Sequence, residues 1–160
     1  MLSVVDWDER VAQLWAGDVD APDFVARAAE LAAACPTGDG SGVFELAGAH
    51  DSTGHPEQAV PLYEEALRLG LVGLRRRRAA VQLASSYRNL GRPADGAQLL
   101  EAELDRTSDD LDDAVRAFLA LCLADLGRER EALGLALGSL APRLPRYQRS
   151  LAAYAAELAR

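Results

Sequence analysis

His50-Asp51-Ser52 sets the side-chain types of a hydrolase triad next to one another. On a helix, consecutive side chains point about 100° apart. The three therefore cannot form a relay from nucleophile to base to orienting acid, and His50 is expected to pack. His50 and His55 lie five residues apart across a helix end, which is poor spacing for a shared metal. The acids Asp105, Asp109, Asp110, Asp112 and Asp113 crowd one segment but lack the alternating Asx pattern and central Gly of a calcium loop. They are read as a solvated loop leading into a helix, with Asp109 and Asp110 as N-cap and first-turn charges. Four arginines, Arg75–Arg78, open another helix against its macrodipole. Because they wrap a full turn, only some can share a surface. The rest are solvated or pair with acids.

Composition closes further routes. All 17 basic residues are Arg, and the 160-residue chain contains neither Lys nor Ile. A phosphate-binding Walker loop, a pyridoxal Schiff base and a lysine nucleophile are thereby excluded. The Gly-rich run Thr37–Gly42 thus reads as a flexible connector rather than a phosphate cradle. A formal net charge of -8 argues against nucleic acid and against an anionic membrane surface. Neither Cys35 nor Cys122 sits in a paired-cysteine motif, so reduced thiols in the cytoplasm are expected, with Cys122 buried in the apolar run Ala117–Ala124. The opening Met1–Arg10 carries early acids and no apolar core, unlike a signal peptide. No metal or cofactor is expected.

The elements that position these residues read as helices nearly throughout. Ala59, Leu62, Tyr63, Ala66 and Leu67 recur at helical spacing, as do Ala80, Leu83, Ala84, Tyr87 and Leu90. Val115, Leu119, Cys122, Leu123 and Leu126 form a third stripe. Gly17, Gly54, Gly91 and Gly127 follow periodic segments as helix-ending residues of positive φ, and Pro22, Pro56 and Pro93 mark helix starts. The spacing predicts nine helices over roughly 6–16, 22–34, 40–52, 56–69, 75–90, 94–105, 110–126, 129–140 and 145–159. Pro61 is expected to kink the fourth without ending it.

Three segments align on their glycines: Leu46-Ala47, His50, Gly54, Ala59 and Tyr63; Leu83-Ala84, Tyr87, Gly91 and Gly96; Leu119-Ala120, Leu123, Gly127 and Ala132. The glycines stand 37 and then 36 residues apart (54 to 91 to 127). Small residues at a fixed interval let paired helices approach to about 8–10 Å, and hairpins that cannot bury both faces stack on each other.

In these residues the chain resembles the tetratricopeptide repeat family, whose unit is about 34 residues. Arg88–Arg92 and the Asp-rich segment 109–113 look most like small bacterial members. The resemblance implies an all-α, right-handed α-solenoid of antiparallel hairpins. It would form a single domain over 1–160: a divergent helical pair over 1–36 as a cap, three repeats over 40–142 and a capping helix over 143–160. It also implies a non-catalytic scaffold whose concave groove, lined by first helices, binds a protein or peptide. The groove positions correspond to Phe44, Asp51, Arg78, Val81, Ser85, Arg88, Asn89, Leu121 and Asp125. Arg78 and Arg88 would fork around an acidic or C-terminal carboxylate, Asn89 would bond the ligand backbone, and Phe44, Val81 and Leu121 would offer apolar contact. The family's carboxylate clamp for chaperone tails needs Lys and Asn. Here Gly48 stands at the first Asn, and Lys is absent. Two rivals remain: a structural element, self-associating or one subunit of a larger assembly, using Tyr147, Leu151, Tyr154 and Leu158, and a hydrolase-like enzyme built on Asp51 with Asp125.

Overall fold

A computed structural model describes residues 3–106 and 108–159. Within them lie nine α-helices and no strand: α1 (Val4–Trp15), α2 (Phe24–Ala33), α3 (Ser41–Ser52), α4 (Pro56–Arg68), α5 (Gly73–Asn89), α6 (Pro93–Leu104), α7 (Asp112–Asp125), α8 (Glu129–Leu140) and α9 (Gln148–Leu158). A 3-10 turn, Ala141–Arg143, precedes α9. Observed and predicted bounds differ by one to three residues at most ends. The punctuation explains this accuracy. Pro56 and Pro93 occupy the first turns of α4 and α6, where their missing N–H costs nothing. α4 runs on through Pro61 to Arg68.

Gly54, Gly91 and Gly127 adopt φ of 81°, 73° and 75°. Each donates to a carbonyl three residues back, while the next residue reaches five back: His55 N to His50 O at 2.9 Å, Arg92 N to Tyr87 O at 2.8 Å and Arg128 N to Leu123 O at 2.9 Å. This paired closure of a helix end requires the left-handed conformation that a Cβ disfavours. Gly17 departs from the expectation. Ala16 caps α1 in the right-handed region, and Gly17 is not among the residues of positive φ.

The chain divides into two compact units, with the boundary between Ser86 and Tyr87. In the first, α1 packs on α2, α2 on α3 and α3 on α4. Trp7, Val11, Leu14, Phe24, Ala28, Leu31 and Ala49 form one buried cluster there. Ala47, Ala59, Ala66 and Tyr63 are wholly buried, so small residues stand where the helices approach. In the second unit, α6 packs on α7, α7 on α8 and α8 on α9, with Leu100, Val115, Leu119, Cys122 and Leu123 inside. Among the described residues no helix is long and apolar enough to cross a membrane.

The segment 37–42 is not the flexible connector that its glycines suggested. The Thr37 hydroxyl donates to Asp39 Oδ1 at 2.7 Å, and the Ser41 amide donates to the same oxygen at 3.0 Å. Gly40 has φ 86°, and a Cβ there would strike the Ala66 backbone; one on Gly42 would stand 2.6 Å from the Ala32 carbonyl oxygen. Gly40 and Gly42 serve close approach, not mobility.

Candidate protein-interaction surfaces

In the first unit, α3 and α5 bring Phe44, Asp51, Arg78, Val81 and Ser85 into play. Phe44 is buried, with its ring 6.2 Å from that of Tyr63. Arg78 is exposed, its Cζ lying 5.3 Å from the Phe44 ring centroid, a cation–π arrangement. Among the described residues no carboxylate pairs with Arg78. Phe44 and Val81 are only 2% and 9% exposed. Their apolar contribution is therefore to support what lies above them rather than to touch a ligand broadly. Ser85 is half-buried.

Asp51 is half-buried and holds its own unit together. Tyr63 donates its hydroxyl to Asp51 Oδ2 at 3.3 Å, and Ser86 Oγ lies 2.9 Å from Oδ1. Burial pushes the Asp51 carboxyl above the usual range, and the bonds from Ser86 and Tyr63 reverse only part of that shift. Burial first, and then the adjacent Asp51 charge, push the Tyr63 phenol up as well. The triad types do not assemble: the Ser52 hydroxyl donates to the Gly48 carbonyl at 2.7 Å. His55 Nδ1 lies 3.2 Å from the Thr53 hydroxyl, and no group of potential metal ligands occurs among the described residues.

The arginine run divides by burial. Arg75 pairs with Asp8 at 2.5 Å and with Glu45 at 3.5 Å, and its Cζ lies 5.3 Å from the Trp7 ring centroid. Arg77 is buried, which leaves Arg78 on the surface. Glu45 escaped the sequence reading. It is 1% exposed and accepts from Trp15 Nε1 at 2.7 Å. The available signal was an acid inside an apolar stripe, in a chain with two indoles needing acceptors.

In the second unit, Arg88 on α5 and Asp125 on α7 bond to each other through Nε and Oδ2, with Nη2 3.4 Å from Oδ1. The fork read as open for a ligand carboxylate already holds one. The hydrogen bond from Arg88 keeps the Asp125 carboxyl below its usual range. Leu121 is exposed and Asn89 ends its helix in solvent. Burial raises the Cys122 thiol. The acid-rich segment is spent on local structure: Asp109 accepts from the Leu111 amide at 2.8 Å, Asp112 from the Ser108 hydroxyl at 2.6 Å, and Asp113 pairs with Arg116 and Arg143. The expected caps shift by two residues, since neither Asp109 nor Asp110 is the N-cap of α7. Of the last stripe, Tyr147 and Tyr154 are 76% and 62% exposed, while Leu151 and Leu158 are half-buried.

No curated protein and no solved structure shows a significant match to the chain. The family model for the tetratrico peptide repeat matches residues 40–158, which span α3 to α9, so the chain belongs to the tetratricopeptide repeat family of helical-repeat scaffolds for protein interaction.

Proposed function

We propose that this protein is a non-catalytic scaffold of the cytoplasm that binds a protein or peptide segment through the first-helix faces of its repeats. An acidic side chain or a C-terminal carboxylate of that segment is held at Arg78. The observation that carries this reading is the Arg78 guanidinium, exposed, laid on Phe44 and without a carboxylate partner among the described residues. A guanidinium fixed against a ring keeps its donor fork oriented, which lowers the ordering cost of bidentate binding. Ser85 supplies a hydroxyl on the same helix. In the second unit, Arg88 takes a ligand acid only by exchange with Asp125, while Asn89 and Leu121 stand open. Asp51 and Asp125 are each engaged within their own units, which supports binding over hydrolysis.

An array of peptides ending in free acid or amide tests this by fluorescence polarisation. Acid-ended or acidic peptides should bind, and Arg78→Ala should weaken them about tenfold, the loss of one charge-assisted bond pair. Unchanged affinity in a variant with native circular dichroism removes Arg78 from the site. A second reading, self-association, is favoured by the exposed Tyr147 and Tyr154. Light scattering should then give a dimer that Tyr154→Glu dissolves, and a concentration-independent monomer rejects it.

A further inference from the structure

A cleft lies between α1 and α2, outside the segment that the family model matches. Its walls carry Arg10 and Arg27, both exposed, and among the described residues neither guanidinium has a carboxylate partner. Leu14 and Leu31 also line the cleft and are 4% and 8% exposed, giving it an apolar floor. Gln13 adds an amide, and Glu30 adds one negative charge. We infer that this cleft binds a carboxylate side chain of an acidic polypeptide segment, at a site separate from Arg78.

Size and charge select that ligand. The cleft measures about 250 Å³, below the roughly 300–1,000 Å³ of sites that enclose drug-sized molecules. It accepts a group of side-chain size and leaves the remainder of the ligand outside. Two guanidiniums and the Glu30 carboxylate sum to one positive charge, the complement of a single carboxylate. A phosphate dianion would exceed that charge. Leu14 and Leu31 support the floor from beneath, and the Gln13 amide can bond the backbone that carries the carboxylate.

The wall has a built-in reporter. The Leu31 carbonyl accepts the Trp7 indole N–H at 2.8 Å, so a ligand pressing on Leu31 should move the Trp7 indole resonance. The test is a nitrogen-15 NMR titration of the full chain with a capped peptide containing Leu-Glu-Glu-Leu, with Leu-Gln-Gln-Leu as its neutral counterpart. The Glu peptide should shift the Trp7 signal, and the Gln peptide should bind about tenfold weaker or worse. Arg10→Gln and Arg27→Gln should each weaken the Glu peptide about tenfold, whereas Glu30→Gln should tighten it. Arg78→Ala should leave the titration unchanged, which separates this site from the one above: either can fail alone. An unmoved Trp7 signal, or wild-type affinity in both arginine variants with native circular dichroism, overturns the inference. Displacement of the peptide by inorganic phosphate at comparable concentration overturns the carboxylate assignment, and loss of binding in Arg78→Ala overturns the separate location.

Discussion

Asp51 shows how a groove position can be spent on the fold. Its carboxylate receives Tyr63 and Ser86 while half-buried, and burial outweighs both bonds, so its proton is held more tightly in the native chain than in the unfolded one. The sign of the pH effect follows by linkage. Where the native state binds more protons, stability falls as pH rises. Asp51 therefore adds stability as pH drops from its raised native pKa toward the ordinary carboxylate value, and nothing further below that. Asp51→Asn lacks this component, so the stability of wild type minus variant should grow on acidification across that window. Urea denaturation at stepped pH measures it. A difference that shrinks on acidification would mean that the bonds, not burial, dominate the site.

At the scale of elements, the segment between α2 and α3 separates two uses of glycine. Gly42 lies where a methyl would meet the Ala32 carbonyl and the Cys35 Cβ, at 2.6 and 2.8 Å, while Gly38 has open space. Backbone atoms cannot rotate away, so Gly42→Ala must push α2 from α3 and should cost about 1–3 kcal/mol. Gly38→Ala should stay within about 0.5 kcal/mol of wild type. Equal urea midpoints would return the segment to the status of a loose connector. The contrast marks what the sequence could reveal. Helix ends were legible because their signals are local: Gly54 and Pro56 fix the α3–α4 turn without help from elsewhere. Gly42 looked like Gly38 because its neighbour, Ala32, is brought close only by packing. The same holds for the surface residues. Arg88 and Asp125 were both placed at ligand positions, yet each is the other's partner across 37 residues of sequence, a relation no spacing rule contains. Glu45 was missed for the converse reason, since its acceptor role depends on Trp15 and Arg75 arriving from α1 and α5.

For the whole molecule, a helical repeat chain distributes stability through the packing of neighbours rather than through one shared core. That packing is uneven here. α3 buries seven residues, among them Phe44 and Ala47, and α4 buries Ala59, Val60, Tyr63 and Ala66. α9 buries Ala155 alone, and α8 buries only Ala132 and Gly134. Tyr147, at the N-cap of α9, also holds a φ of 67°, a conformation that costs a bulky side chain about 1–2 kcal/mol. The cost of opening a helix locally follows the apolar surface it must expose to water, so α9 should open far more readily than α3 or α4. Its amides should exchange first in hydrogen–deuterium mass spectrometry, with α8 next and the α3–α4 hairpin last. Gly134→Ala sharpens the test, because its methyl would stand 2.8 Å from the Ala155 carbonyl oxygen and 2.8 Å from the Ala159 nitrogen. α9 should then exchange faster still while α3 and α4 keep their wild-type protection. If Gly134→Ala accelerated every helix alike, the molecule would be opening as one cooperative body, and neighbour-by-neighbour stability would be the wrong description of it.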